Sequence, residues 1–222
     1  MVISDPEFTD SYEIGYKGTH WDNRLQFNMT GFFMEYKDQQ TLVVGAAPGG
    51  FLPVLENAGA SEMYGFEFDL ILQPNEHWLF LLGGGYLDAE FEEFFVSAIN
   101  VDRAGNKLPH SPEWNFNGVI RYETPVANGT LGLQMDWWWQ DEQVFTTENE
   151  PVMRSGDRSM INARASYTFM NERLELALFV KNLTEEKFVN TGFNTSSAGF
   201  GAFIYNSNEP RTFGGQIIFN YN

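Results

Sequence analysis

The chain has 222 residues, with 30 acidic against 13 basic side chains and a net charge of −17. This balance argues against nucleic-acid binding, because neutralising phosphates requires clustered lysine and arginine. Cysteine is absent, which excludes disulfide scaffolds and cysteine-ligated zinc or iron–sulfur sites. The longest uncharged apolar run covers only residues 78–87, whereas a membrane-spanning helix needs about 20 apolar residues. With aromatic residues at 16%, the composition favours a soluble all-β protein or a membrane β-barrel.

Side chains alternate between apolar and polar with a period of two, which predicts β-strands rather than amphipathic helices. Residues 11–21 follow the alternation less cleanly, and residues 77–94 begin with apolar side chains at successive positions. We predict about nine strands in total. The clear alternation covers, in chain order, residues 24–30, 62–72, 113–123, 131–139, 161–169, 174–181 and 211–221.

Short and long connections alternate between the predicted strands. This pattern is typical of outer-membrane barrels, which have short periplasmic turns and longer extracellular loops. We therefore expect the short connections to lie on the periplasmic side and the long ones on the outside. The short connections contain Asn23, Asn75, Asn128 and Glu172, and the long ones cover residues 41–57, 97–110, 148–156 and 190–208.

Aromatic residues cluster near the predicted strand ends, where rings with a polar edge favour the two membrane interfaces. They are Tyr16, Trp21, Trp78, Trp137, Trp139 and Tyr221. The alternative is that aromatic and β-branched strands fill the core of a soluble sandwich.

The strand count bears on whether this chain closes a barrel by itself. Bacterial single-chain barrels have an even number of strands, so nine strands indicate either a miscount by one or the end of a larger barrel. A plugged barrel of about 22 strands does not fit in this length, because the strands alone would use every residue. The closed alternative has about 8 or 10 strands. Residues 1–10 lack the basic start and apolar stretch of an export signal, so an outer-membrane location requires a signal upstream.

Residues 6–18 (PEFTDSYEIGYKG) and 21–40 (WDNRLQFNMTGFFMEYKDQQ) resemble the barrel of TonB-dependent outer-membrane receptors. Those barrels have a Pro-Glu entry, a Ser-Tyr-Glu-hydrophobic-Gly strand, a short turn and an aromatic-Tyr-Lys-Asp strand end. Single pieces of this kind are common, but here the matches keep the family's order up to the C-terminus. The further matches are YGFEFDLILQPN (64–75), GGGYLDAEF (83–91), KLPHSPEWNFNGVIRYE (107–123), FVKNLTEEKFV (179–189) and EPRTFGGQIIFNY (209–221).

The resemblance implies that residues 1–222 are the C-terminal part of an antiparallel transmembrane β-barrel of about 22 strands. On its own this part would be an open half-barrel, with the plug domain and signal peptide absent, and it would lie in the bacterial outer membrane. The implied sub-class is that of iron-complex or siderophore receptors. One departure is that such barrels commonly end on an aromatic residue, whereas here Asn222 follows Tyr221.

The same resemblance implies a set of partners and no cofactor. The partners are membrane lipid and lipopolysaccharide, the missing N-terminal barrel strands and plug, and the TonB energising complex, which acts through the absent N-terminal part. The remaining partner is a ferric siderophore or another small nutrient.

Residues with catalytic or metal-binding chemistry do not form a recognisable motif. His20, His77 and His110 are isolated and lack metal-site spacing. The acidic pairs Glu92–Glu93 and Glu185–Glu186 lack calcium-loop spacing and are interpreted as solvated strand ends. We therefore expect no enzymatic activity, no metal site and no catalytic residue.

Polar side chains on the inward-facing positions of the predicted strands are candidates for lining a lumen. A hydrogen-bonded network facing a plug or water is the favoured interpretation of these residues, ahead of direct contact with a ligand. The candidates are Glu67, Asp69, Arg121, Gln134, Asp136, Trp138, Arg164 and Lys181.

Three functions are compatible with these observations. The favoured one is a segment of an outer-membrane receptor that imports ferric siderophores or similar scarce nutrients by energy-coupled transport. The alternatives are a small independent barrel, porin-like or structural, and a soluble carbohydrate-binding β-sandwich.

Overall fold

A computed structural model describes residues 5–47, 50–96, 100–169, 173–195 and 201–220. These residues are almost entirely strands and connections, with one short 3₁₀ turn at Pro151–Met153. No helix within these ranges is both long enough and apolar enough to cross a membrane. The strands are β1 (Phe8–His20), β2 (Leu25–Ala47), β3 (Gly50–Leu72), β4 (Trp78–Val96), β5 (Val101–Asp102), β6 (Trp114–Val126), β7 (Gly129–Gln140), β8 (Gln143–Val144), β9 (Arg154–Ser155), β10 (Arg158–Phe169), β11 (Leu174–Lys181), β12 (Val189–Asn194), β13 (Phe203–Ser207) and β14 (Thr212–Phe219).

Nine long strands form one continuous sheet in the order β1-β2-β3-β4-β6-β7-β10-β11-β14, and β5 adds a short tenth strand to β4. Every neighbouring pair is antiparallel. The prediction of about nine strands is confirmed. In the described chain β1 and β14 each have one neighbour, so the sheet is a barrel wall that is not closed.

Tight turns join the strands at one end of the sheet. At the β1–β2 turn Trp21, Asp22 and Asn23 all adopt positive φ, at 52°, 51° and 67°. At the β3–β4 turn the Asn75 side-chain oxygen accepts hydrogen bonds from the backbone N–H of His77 at 3.0 Å and Trp78 at 3.2 Å. Asparagine tolerates left-handed backbone and caps its own turn in this way, which explains its place in these connections. Asn128 also lies in a turn, whereas Glu172 falls outside the described residues.

The predicted long loop over residues 41–57 is wrong. The β2 and β3 strands continue as a paired hairpin through this region, from Thr41 opposite Glu56 to Ala47 opposite Gly50. Pro53 and several glycines occur in this segment, and both residue types are rare in strands. The glycines and the proline therefore suggested a loop. The backbone pairing of β2 with β3 nevertheless continues here, beyond the residues in which apolar and polar side chains alternate.

The register gives the sheet two chemically different faces. In antiparallel pairs, directly opposite residues place their side chains on the same face, so a row can be followed from strand to strand. One row across β6, β7, β10, β11 and β14 is wholly apolar: Ile120, Met135, Ala163, Val180 and Phe213. The next row, on the opposite face, begins with Arg121, Gln134 and Arg164.

Aromatic rings lie at both ends of the apolar face. At the turn end, the Trp78 and Tyr122 ring centroids are 4.6 Å apart. At the other end Tyr86 lies 4.8 Å from Trp114. Trp78 and Tyr86 are on the same strand, and the span between them fits the 9–11 residues with which a strand crosses a bilayer.

The apolar face is open to its surroundings even in the middle of the sheet. Leu133, on the interior strand β7, is 44% exposed, and Leu178, on the interior strand β11, is 71% exposed. Exposure of this much contiguous apolar surface to water is costly, at roughly 25 cal/mol per Å². A lipid environment removes that cost, so this face is the lipid-facing side of the wall.

Gln134 and Met135 are adjacent on β7 and lie on opposite faces, which provides a matched test of sidedness. Met135 pairs with Ile120, deeper in the apolar band than the row of Tyr122, so Met135→Arg places a charge on the lipid face at a cost of up to about 2–4 kcal/mol. Gln134→Arg places the same charge on the polar face and is expected to be tolerated. Heat-modifiable gel migration of the full-length receptor measures assembly. Equal loss of folded barrel in both variants would contradict the assignment of faces.

Candidate lumen surface

All eight candidate lumen residues lie on the polar face of the sheet. Register links Glu67 and Asp69 on β3 to Gly85 and Gly83 on β4, and through β6 to the rows on β7, β10 and β11. Glu67, Asp69, Arg121 and Lys181 are exposed, and Gln134, Asp136, Trp138 and Arg164 are half-buried.

Two arginines on the β6–β14 half of this face are paired with glutamates. Arg121 forms an ion pair with Glu123 on the same strand. Arg164 forms an ion pair with Glu175 across to β11 and donates a 2.9 Å hydrogen bond to the Gln216 side-chain oxygen on β14. The contacts of Arg164 join β10 to β11 and β14 on the polar face, whereas Lys181 on β11 forms no ion pair within the described part of the chain.

The carboxylates on the β3 half differ, because Glu67 and Asp69 form no hydrogen bond or ion pair within the described part of the chain. The positions opposite them on β4 are Gly85 and Gly83, so no β4 side chain covers them. Arg121 on β6 is two strands from β3, about 10 Å at the usual spacing, and its partner on β4 is Leu79, four residues along the strand from Gly83. Arg164 on β10 is four strands away. The fold therefore does not bring the two groups of candidates together.

The triple glycine of β4 is needed for close packing of strands. A Cβ on Gly84 would lie 2.6 Å from the Phe116 ring and 2.9 Å from the Asn115 carbonyl oxygen. Both distances are shorter than real Cβ contacts, so a side chain at Gly84 would force the neighbouring strand to move.

A chain of amide contacts joins the upper part of the polar face to the 182–209 connection. Asn162 donates a 2.6 Å hydrogen bond to the Asp136 carboxylate, and its own side-chain oxygen accepts the Asn182 backbone N–H at 2.9 Å. Asn182 is 1% exposed, with positive φ, and its side chain bonds the backbone of Glu186 and Glu209. This residue anchors the connection to the wall.

The long connections pack against one another at the same end of the sheet. Asn149 exchanges two 2.9 Å hydrogen bonds with the backbone of Lys107, and Arg103 forms a 2.6 Å ion pair with Glu148. A small apolar core forms beneath them, where Met153 is fully buried and Gly192 leaves space for it and for Phe145. The loops are therefore a folded cap with a core of its own.

Lys107 fixes the β4–β6 connection to the end of the wall that carries the aromatic pair Tyr86 and Trp114. Partial burial alone would lower the pKa of Lys107, but hydrogen bonds to three carboxylates outweigh burial and raise its pKa above the ordinary value. The partners, at 2.8, 3.0 and 3.1 Å, are Asp88, Glu90 and Glu113. The ammonium therefore stays charged, and it neutralises part of the acidic surface.

The polar face also holds a group that sequence reasoning missed, where β10 begins beneath the loops. Arg158 is 8% exposed and donates a 2.7 Å hydrogen bond to the Gln140 side chain. Trp138, one of the eight candidates, packs edge-on against Phe188 nearby, with 5.5 Å between ring centroids. Arg158 is six residues before Arg164 on the same strand, so the alternation places both side chains on the same face. This was the only indication of its position in the local sequence. Its burial depends on residues 30 positions away and was not visible in the local pattern.

The three histidines are dispersed. His20 contacts Tyr16 at 2.8 Å, and His77 bonds the Glu123 carbonyl oxygen at 2.8 Å. Burial and the charge of Arg158 lower the pKa of His110, which lies in the cap. No group of three or more potential metal ligands occurs within the described ranges.

The comparisons with known proteins agree with this architecture. The model of the family described as TonB dependent receptor-like, beta-barrel, matches residues 4–183. The ferric yersiniabactin uptake receptor FyuA from Yersinia pestis is 19% identical with a TM-score of 0.80, over 97% of this chain and 30% of that one. The siderophore receptor PiuA from Acinetobacter baumannii is 20% identical with a TM-score of 0.72, over 96% and 28%. The copper transporter OprC is 17% identical with a TM-score of 0.71, over 99% and 32%.

The chain thus spans about three tenths of the length of these solved proteins. At these low identities the TM-scores show a shared fold and nothing more. The family model, in contrast, matches most of the chain. The resemblance seen in the sequence is therefore confirmed: the chain belongs to the TonB-dependent receptor-like β-barrel family and is part of a bacterial outer-membrane protein.

Proposed function

We propose that this chain forms part of the barrel wall of a receptor for energy-coupled nutrient uptake across the outer membrane. The observation that carries the proposal is the open nine-strand wall with one lipid-facing side and one polar side. Such a wall separates lipid from an interior through which a polar nutrient passes, and pairing between its strands satisfies backbone groups that lipid cannot.

The direction of the edge strands excludes antiparallel closure of the nine described strands by themselves, and it is compatible with a larger receptor as well as with a barrel of about 10 strands. Eight successive antiparallel pairings separate β1 from β14, so the two edges run in the same direction. Antiparallel closure then requires an odd number of further strands. A plugged barrel of about 22 strands meets this condition, because nine from 22 leaves an odd number.

The polar face supports a plug as the occupant of the interior. Glu67 and Asp69 present unneutralised carboxylates over a strip of glycine, so this surface is complementary to basic groups of a domain packed against it. In this proposal the plug and the segment that engages the TonB energising complex lie outside the 222 residues. Lipid and lipopolysaccharide contact the apolar face.

The proposed nutrient is a ferric siderophore or a similar scarce metal complex. FyuA is a ferric yersiniabactin uptake receptor and PiuA is a siderophore receptor, whereas OprC is a copper transporter. Because all of these matched proteins are receptors or transporters, the chain's role is binding and passage rather than covalent chemistry.

Uptake by the full-length receptor tests the function. In a strain lacking other iron-complex receptors, the receptor is expected to support growth under iron limitation on at least one ferric siderophore, and to lose that ability without TonB or the proton-motive force. Radioactive iron accumulation gives the rate. TonB-independent uptake with no saturation would contradict the proposal and favour a porin-like barrel.

The topology of the wall is testable by insertion. A protease site inserted after Gly105, in the β4–β6 connection, is expected to be cut when protease is added to intact cells. The same site inserted after Asn75, in the β3–β4 turn, is expected to be cut only after the outer membrane is permeabilised. Cleavage after Asn75 on intact cells would reverse the proposed orientation.

A further inference from the structure

Arg158 is a buried cation without an acidic partner among the described residues. Its Nε atom is buried and makes no hydrogen bond within the described part of the chain. One Nη atom reaches the Gln140 side chain at 2.7 Å, and the other is 3.5 Å from the carbonyl oxygens of Val189 and Asn190. The charge is thus met by neutral acceptors, two of them at the limit of hydrogen-bond distance.

This arrangement is costly. Removing an ion from water is unfavourable, and only a well-placed partner charge with good hydrogen bonds offsets that cost. The other arginines of the polar face have such partners, since Arg121 and Arg164 each form an ion pair with a glutamate. Arg158 therefore differs from its neighbours in both burial and neutralisation.

The cover over Arg158 is Phe188 with the first two residues of β12, which pairs with β13 and does not belong to the wall. The Phe188 ring lies 5.8 Å from the guanidinium carbon, and the weak carbonyl contacts come from the next two residues. On the wall side the guanidinium is fixed by Gln140, its register partner on β7. Displacement of residues 188–190 would expose a preoriented guanidinium on the lumen face while its strongest hydrogen bond persists.

We infer that Arg158 is the anchor for a carboxylate of the imported complex, and that residues 188–190 cover it until that carboxylate arrives. A guanidinium pairs with a carboxylate through two parallel hydrogen bonds, which would supply the missing negative charge and use the unbonded Nε. The inference rests on the proposed uptake function and specifies the class of ligand as a carboxylate-bearing anion.

Citrate is a suitable probe for the full-length receptor in detergent, and its neutral triethyl ester is the matched control ligand. Titration calorimetry measures binding, and hydrogen exchange of residues 183–195 measures the cover. The variants are Arg158→Gln, which removes the charge, and Arg158→Lys, which retains it. Arg154→Gln is the control, because Arg154 is exposed and lies 3.9 Å from its acidic neighbour Glu142.

Citrate, but not its ester, is expected to bind the wild type and to increase exchange in residues 183–195. Arg158→Gln should weaken citrate binding by about tenfold or more, the usual scale for a hydrogen bond to a charged group. Arg158→Lys keeps the charge but cannot form the two parallel hydrogen bonds, so its affinity for citrate should lie between those of the wild type and Arg158→Gln, and Arg154→Gln should retain the wild-type affinity.

Two results would overturn the inference. One is that citrate neither binds the wild type nor changes hydrogen exchange in residues 183–195. The same result is expected if a carboxylate of the plug already pairs with Arg158. The other is faster exchange in Arg158→Gln without ligand but unchanged citrate affinity, which would make Arg158 a structural clasp. Citrate binding through Arg158 in a receptor that shows no TonB-dependent uptake would instead refute the proposed function alone.

Discussion

Unbroken antiparallel backbone pairing is the constraint on which the rest of this structure depends. Lipid offers no hydrogen bonds to the backbone, so each N–H and C=O in the crossing region must find its partner on a neighbouring strand. The register runs without a shift through the apolar band, and its irregularities, near Tyr36–Gln40 and Ala60–Ser61, lie beyond that band. Fixed register then assigns every side chain to lipid or to the interior, because a slip of one residue would exchange the two faces.

The polar face and the cap follow from that assignment. Alternate residues of β7 and β10 are held side by side on the lumen face, which allows the Arg164–Glu175 pair and the Asn162–Asp136 contact to form. The same geometry sets Arg158 opposite Gln140 at the point where the strands leave the membrane and the loops fold over them. Packing among the connections, rather than pairing with the wall, then decides which polar groups are buried.

The local sequence pattern predicted the features that depend on the alternation of apolar and polar side chains. It failed where contacts between residues far apart in the chain determine the structure. Alternation located the strands of the wall and the face of Gln134, because each lipid-crossing strand must be apolar at every second residue. It missed the part of the β2–β3 hairpin that extends beyond the membrane, because this paired segment contains glycines and Pro53, which are rare in strands. It also missed Arg158, whose burial is produced by residues 188–190, since no local pattern around RSGDRSM distinguishes this arginine from an exposed loop residue.

The three consecutive tryptophans of β7 provide the most direct test of the two-faced wall. Trp137 and Trp139 lie on the lipid face, whereas Trp138 lies between them on the lumen face. Full-length receptors that each retain one of these three as the sole tryptophan can be reconstituted into lipids with brominated acyl chains, which quench fluorescence on contact. The account predicts strong quenching at positions 137 and 139 and little at 138. Quenching of Trp138 as strong as that of its neighbours would contradict it.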